Sequence, residues 1–247
     1  MIVSRQNERV KQIRALKQKK FRDETGLYLV EGVKSVCEAL KSTHQVVTVA
    51  GTEQMLARID SDLLSTVDVL EVSDSVFESI SDEVTPQGVI AVVKKPVYKL
   101  TAPSGCCILS DGVSDPGNIG AIIRTAAASG YNEVYFINSA DPYSPKAVRS
   151  SMSGIFKVKT YFGSKEDVLS VIDKPITVAT MEGENVFNFT APKDFCLVIG
   201  NEANGVSEQV KGLAKYKVSI PMQNGVESLN ASVSAGILMY LLKNSTK

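Results

Sequence analysis

Histidine is almost missing from this chain of 247 residues: His44 stands alone. Cysteine is scarce as well, at Cys37, Cys106, Cys107 and Cys196, and no two of them have C-x-x-C spacing. The ligand sets of a zinc site are therefore missing, and no metal is expected. Vicinal Cys106 and Cys107 lie in the apolar stretch GCCILSDGV and read as buried, reduced thiols, which fits a reducing cytosol. No apolar run approaches ~20 residues, and the opening MIVSRQNERVKQ has no apolar signal core, so a membrane span is not expected. A soluble, cytoplasmic protein is the expectation. Net charge is also lacking, with 27 Lys+Arg against 27 Asp+Glu. That argues against a uniformly basic nucleic-acid-binding surface and leaves room only for a local patch.

Hydrophobic residues make up 44% of the chain, enough for a sizeable core, and the length suits one large domain or two ordinary ones. The local basic patch comes first. Residues 1–22 carry Arg5, Arg9, Lys11, Arg14, Lys17, Lys19, Lys20 and Arg22 against Glu8 alone. Val10, Ile13 and Leu16 recur at three-residue steps, which predicts one basic amphipathic helix. Its cations are candidates for RNA phosphate contact, and a solvated face that aids solubility is the plainer alternative.

Strand and helix patterns then alternate. GLYLVEG, VVTVAG, VDVLEVS and QGVIAVVKK read as strands, with VKSVCEAL and SVFESIS as helices. This predicts a small α/β domain over residues 1–93. The stretch KKPVYKLTAPSG holds two prolines, and residues 94–103 read as a linker. A second domain over 104–247 alternates again. CCILSDGV, EVYFIN, KVKTYF, ITVAT, FCLVIG and YKVSIPM read as strands; IGAIIRTAAASG, SPKAVRSSMSGIF, VSEQVKGL and LNASVSAGILMYLLKN read as helices. A mostly parallel sheet with helices on both faces follows.

Three loops at the ends of strands carry the chemistry. In the first, SDGVSDPGNIGAIIRTAAASG, a polar turn with Asn118 leads into a helix bearing Arg124. Loops at the carboxyl ends of parallel strands are where such folds place ligands. Neither the full G-x-G-x-x-G spacing of a dinucleotide-binding turn nor the G-K-[ST] of a P-loop is present, which weakens a nucleotide-dependent oxidoreductase. In the second, FCLVIGNEANGVSEQV, an apolar strand runs into Gly200, Asn201 and Glu202. Asn204-Gly205 is explained as an ordinary turn; Glu202 at the sheet rim is not. In the third, IPMQNGVESLNASVSAGILMYLL, a terminal helix opens with Glu227, Ser228, Asn230, Ser232 and Ser234. Ser228 or Asn230 can cap the helix, but capping does not need five polar groups.

Together these stretches resemble the three motifs of the SpoU/TrmH family of RNA 2′-O-ribose methyltransferases, within the SPOUT superfamily. The matching residues are N-x-G-x-x-x-R-T-A from Asn118 to Ala126, G-N-E from Gly200 to Glu202, and I-P-M followed by S-L-N-A-S from Ser228 to Ser232. The N-terminal half resembles the substrate-binding domain of ribosomal RNA members. The resemblance implies a C-terminal parallel-sheet SPOUT domain with a deep trefoil knot, an exception to the usual absence of knots. It implies S-adenosylmethionine as cofactor, bordered by Gly200, Ile220, Leu229, Ile199 and Met222. It implies a homodimer through the C-terminal domain, with active sites drawing on both subunits, and RNA as the partner, ribosomal rather than transfer RNA. Arg124 is the implied central catalytic group, with Asn118 orienting it or the ribose and Glu202, Ser228 and Asn230 holding loops and substrate in place. The alternatives are a tRNA 2′-O-methyltransferase and an inactive RNA-binding or ribosome-assembly protein on the same fold.

Overall fold

The computed structural model describes residues 1–245. Its contacts divide the chain into two compact units. The first is Met1–Val97 together with Asp141–Phe156, and the second is Tyr98–Ala140 together with Lys157 onward. Residues 141–156, which the sequence division put in the second domain, thus group with the first unit.

The first unit opens with α1 (Glu8–Ala15) and α2 (Lys19–Thr25) in place of one continuous basic helix. There follow β1 (Leu27–Glu31), α3 (Val33–Lys41), β2 (Val46–Gly51), two single-turn helices α4 (Glu53–Leu56) and α5 (Ser61–Leu64), β3 (Asp68–Glu71), α6 (Asp74–Ile80) and β4 (Val89–Lys94). The strands form a mixed sheet in the order β1-β4-β2-β3, parallel only between β2 and β3. The three-residue apolar steps of α1 have a clear use. Val10, Ile13 and Leu16 pack with Val76, Phe77 and Ile80 of α6 against Leu29, Ala50, Leu70 and Ile90 of the sheet. Full burial of such side chains contributes roughly 1.5–3 kcal/mol each. His44 is also interior, its Nδ1 at 2.9 Å from the Tyr28 hydroxyl, and burial lowers its pKa.

The second unit is built on β5 (Cys107–Asp111), α7 (Pro116–Ser129) and β6 (Glu133–Ile137). The chain then supplies α8 (Pro145–Ser150) to the first unit, ending in a short 3-10 turn at Gly154–Phe156. The single helix expected over SPKAVRSSMSGIF is broken because Met152 and Ser153 take φ of 45° and 67°, outside helical space. The second unit resumes with β7 (Lys159–Phe162), α9 (Lys165–Val171), β8 (Ile176–Asn185), β9 (Cys196–Gly200), α10 (Glu208–Gly212), β10 (Tyr216–Ser219) and α11 (Ala231–Asn244). Its sheet runs β10-β8-β9-β5-β6-β7, with every pairing parallel. The central β5 and β6 are buried at every position, as strands covered on both faces must be.

Local rules set the helix ends. The Asp115 side chain caps α7, Pro116 occupies its first turn, and Gly130 ends it in left-handed geometry. At the far end of α11, the Lys243 ammonium donates to the carbonyls of Ser129 (2.8 Å) and Gly130 (2.7 Å), closing the α7 terminus. The four cysteines are free. Cys107 and Cys196 are fully buried register partners on β5 and β9. Cys106, expected to be buried with its neighbour, is only half-buried, because the strand begins one residue later.

One strand departs from regular pairing. β8 matches β10 at Thr177 and Val178, then again at Glu184 and Asn185, so residues 179–183 leave the ladder where β10 has no matching residues. Gly183 allows the return. A Cβ there would lie 2.4 Å from the carbonyl carbon of Val218, closer than any side chain tolerates.

Candidate active site

In the second unit β5 is the point where the strand order reverses, with β6 on one side and β9 on the other. Ligands in open parallel sheets bind beyond the carboxyl ends of strands at such a point. Here the loops after β5 and β9 are laced together. Asp111 Oδ2 accepts from the Ser207 amide (2.7 Å), and Asn201 Nδ2 donates to the Gly112 carbonyl (2.8 Å). The β9 loop turns back at once: Asn201 and Gly205 exchange two backbone hydrogen bonds of 2.9 Å. Gly200 is forced by that turn, since a Cβ would sit 2.3 Å from the Gly205 carbonyl carbon and the Val206 nitrogen.

The loop so placed delivers Glu202. Its Oε2 accepts from the Ser114 amide (3.1 Å) and hydroxyl (2.8 Å); its Oε1 accepts from the Asp115 amide (3.2 Å) and from Asn118 Nδ2 (2.9 Å). Partial burial works against ionisation, but the bonds from Asn118 and Ser114 outweigh it and hold the carboxyl down at about 2. A carboxylate can only accept, so the Asn118 amide must turn its NH2 toward Glu202. That leaves Asn118 Oδ1 to accept from Asn230 Nδ2 at 3.0 Å. Asn230 in turn caps α11, its Oδ1 accepting from the amides of Ser232 (2.9 Å) and Val233 (3.3 Å). One continuous hydrogen-bonded chain therefore joins the three loops that lie far apart in sequence.

Beside the third loop is a pocket of about 130 Å³, open to solvent. Its apolar wall includes Val218, Ile220, Met222, Leu229 and Leu238. Its polar margin is Thr180, Glu227, Ser228 and Ser234. An apolar wall with a few hydrogen-bonding groups suits a flat heterocycle attached to a polar tail. The pocket takes Ala179, Thr180 and Met181 from the β8 excursion that Gly183 permits.

The expected site residues fall into separate groups. Asn118, Glu202 and Asn230 are joined directly. Ile220, Met222, Leu229 and Ser228 line the pocket. Ile199 is buried inside β9, and Gly200 is pressed against the 205–206 backbone; neither lines the pocket. Arg124 stands apart. It is exposed and has no hydrogen-bond or ion-pair partner among the described residues, and the Asn118 amide is occupied on both sides by Glu202 and Asn230. Arg124 is also nine residues into α7, beyond the first turn where a helix dipole acts. Ser114 and the 179–181 segment were not singled out from the sequence. Ser114 is an ordinary turn residue in a polar loop, while ITVAT read as a plain strand and gave no sign of the excursion.

The basic N-terminal residues are mostly committed within the first unit. Arg22 is 3% exposed; it donates to Asp141 at 2.7 Å and to the carbonyls of Leu16 and Lys17 at 2.9 and 2.7 Å. It is an interior tie and is corrected from a candidate phosphate contact. Arg14 reaches Ser79 Oγ (2.9 Å), and Lys17 donates to the carbonyls of Ser79 and Ser81 at the end of α6. Arg5 bonds the Ser75 carbonyl, Arg9 pairs with Asp68, and Lys11 pairs with Glu8. Lys20 approaches Glu24 at 3.9 Å, and Lys19 pairs with Asp23, whose carboxyl is held at about 2 by hydrogen bonds from Lys19 and Lys95. Arg5, Arg9, Lys11, Lys19 and Lys20 remain exposed, with partners that exposed phosphate could displace. Among the described residues no cluster of His, Cys, Asp and Glu could hold a metal ion, and no helix is long and apolar enough to cross a membrane.

The sequence and the fold have counterparts in known proteins. The SpoU rRNA Methylase family matches residues 105–240, and the MRM3-like substrate binding domain matches residues 7–91. The 23S rRNA (guanosine(2553)-2′-O)-methyltransferase RlmP of Bacillus subtilis is 32% identical over 98% of this chain and 98% of its own length. An AdoMet-bound rRNA methyltransferase from Sinorhizobium meliloti superposes with a TM-score of 0.87 at 29% identity, covering 98% of this chain and 97% of that one. The SpoU methyltransferase AviRb from Streptomyces viridochromogenes, in complex with AdoMet, superposes with a TM-score of 0.85 at 29% identity, covering 97% and 98%.

Proposed function

The chain belongs to the SpoU rRNA methylase family, and from that premise we propose that it methylates a ribose 2′-hydroxyl in large-subunit ribosomal RNA, using S-adenosylmethionine. The observation that carries this reading is the chain Glu202–Asn118–Asn230, which fastens three strand-end loops into one crevice beside the apolar pocket. Two relatives with whole-length matches are named for 23S rRNA, which favours ribosomal over transfer RNA.

The pocket fits the cofactor. Ile220, Met222, Leu229 and Leu238 would flank its adenine ring, with Thr180, Ser228 and Ser234 for its polar groups. Gly200 and Ile199 act less directly, by fixing where β9 ends and its loop turns. S-adenosylmethionine, when bound, supplies a methyl group on a sulfonium, a strong electrophile that needs no metal. The protein's task is to place the 2′-hydroxyl in line and to lower the energy of the alkoxide as its proton leaves. Correct placement alone supplies several kcal/mol. Arg124 is the group for the developing negative charge, acting together with the neighbouring RNA phosphate. A guanidinium stays protonated, so stabilisation suits it better than proton abstraction. Glu202, already a carboxylate with four donors, holds the loops, and Asn118 and Asn230 transmit that order to the third loop.

A homodimer through the second unit belongs to the same reading. Val233, Ile237, Tyr240 and Leu241 form an apolar stripe along α11 that is exposed or half-buried in one chain. Arg124 without a partner suits a site completed by a second copy. The trefoil knot also belongs to the proposal, favoured by the parallel sheet and by the bond from Asn230 back to Asn118. Residues 1–93 are proposed to engage the RNA, residues 94–103 to link, and residues 104–247 to carry the methyltransferase, in the cytoplasm where ribosomes are modified. The decisive experiment is mapping of 2′-O-methyl positions in total RNA with and without the gene. One 23S position should be lost, and retention of every position would overturn the reading. Arg124→Ala should fold and bind cofactor yet lose methyl transfer by about a hundredfold or more in labelled-methyl incorporation; full activity would remove Arg124 from the mechanism.

A further inference from the structure

Glu227 is the only charged residue among those lining the pocket. Its carboxylate has no hydrogen-bond or ion-pair partner among the described residues. An unpaired carboxylate at the mouth of an otherwise neutral pocket creates a local field that favours cations. The other fixed electrostatic feature there has the opposite sign. α11 begins at Ala231, and Ser234 of its first turn lines the pocket. The N-terminus of a helix carries roughly half a positive charge, part of which Asn230 already meets by accepting from the Ser232 and Val233 amides. That end welcomes a carboxylate and disfavours a cation.

The two ligands of a methyl-transfer cycle differ in this respect. S-adenosylmethionine carries a carboxylate, an ammonium and a sulfonium, for a net charge of plus one. Once the methyl has moved, the sulfur is a neutral thioether and the net charge is zero. We propose that Glu227 makes the pocket discriminate the charged methyl donor from its neutral thioether product. The inference rests on the proposed function, since it presumes this pocket takes the donor. It goes beyond that reading by assigning charge selectivity, and easier product release, to one residue on the rim. Thr180, Ser228 and Ser234, the other polar side chains of the lining, are neutral and give no charge preference between donor and product.

The test is isothermal titration of the full-length protein with S-adenosylmethionine and, separately, S-adenosylhomocysteine. Glu227→Gln should lose about fivefold in donor affinity, the size of one charge–charge attraction under nearly water-like screening, while product affinity stays unchanged. The donor-to-product ratio of the native protein should also shrink as salt rises, and that of Glu227→Gln should not. Glu166→Gln, which removes an exposed carboxylate from α9 outside the pocket, should leave the ratio as it is. Equal loss for both ligands would mean that Glu227 holds a group they share or merely shapes the loop, and would overturn the proposal. So would unchanged donor affinity. A native protein that binds neither ligand would sink the methyltransferase reading itself, and this inference with it.

Discussion

Glu202 shows what the site asks of a single side chain. A carboxyl that gathers four hydrogen bonds and titrates at about 2 is a poor base at neutral pH, so its role is to remain charged and fixed. This has a consequence for stability. The folded pKa lies below the usual 4.5. The stabilisation is therefore fully present above that ordinary value and is lost as pH falls toward about 2. The gap in melting temperature between the native protein and Glu202→Gln should hold steady from about pH 8 to about pH 5, then close as acid is added. Thermal unfolding at a series of pH values measures it, and a gap independent of pH would mean that the carboxylate is not held as described. Glu202 stood out in the sequence because an ordinary turn explains Asn204-Gly205 and leaves the acid over, whereas Asn118 and Asn230 were singled out through the family resemblance. Arg22 was misread because one cation in a basic run looks like the next. Only Asp141, 119 positions away, shows it to be an interior ion pair.

Elements reveal what spacing alone conceals. The pattern for α7 and α11 was plain, with Pro116, Gly130 and the polar entrance before Ala231 marking their ends. What joins them was not plain, because Lys243 looks like any lysine near a terminus until its ammonium is found on the last carbonyls of α7. Those carbonyls have no partner within their own helix, and a cation suits that end of the dipole. Replacing Lys243 with Met keeps the apolar stem and removes the donor. We expect a loss of about 1–3 kcal/mol, read as a lower urea midpoint at unchanged slope, with cofactor affinity preserved. An unchanged midpoint would show that the carbonyls are equally well served by water. The β8 excursion was illegible for a related reason. ITVAT reads as a finished strand, and the return at Glu184 depends on β10, more than thirty residues later. The break after α8 likewise follows from two residues with positive φ that carry no proline or glycine signal.

At the scale of the whole molecule, one chain leaves two things unfinished. The α11 stripe repeats at Val233, Ile237, Tyr240 and Leu241, the i, i+4, i+7, i+8 spacing of a helix face made for burial, yet Val233 is 50% and Tyr240 48% exposed. Arg124, the residue proposed to stabilise the alkoxide, has no partner among the described residues. A second copy covering α11 would answer both, by burying the stripe and by bringing Arg124 toward a crevice held by Glu202, Asn118 and Asn230. The doubly substituted Val233→Glu, Tyr240→Glu protein places two carboxylates on that face and keeps the Val233 backbone amide that donates to Asn230. On the dimer proposal, sedimentation velocity should find the native protein as a dimer and this variant as a monomer. S-adenosylmethionine should still bind the monomer, because neither substituted residue lines the pocket. Methyl transfer should fall as far as it does in Arg124→Ala, since both changes remove the same guanidinium from the same reaction. A monomer with full activity would mean that Arg124 reaches the ribose within its own chain, and the apolar face of α11 would then need another occupant.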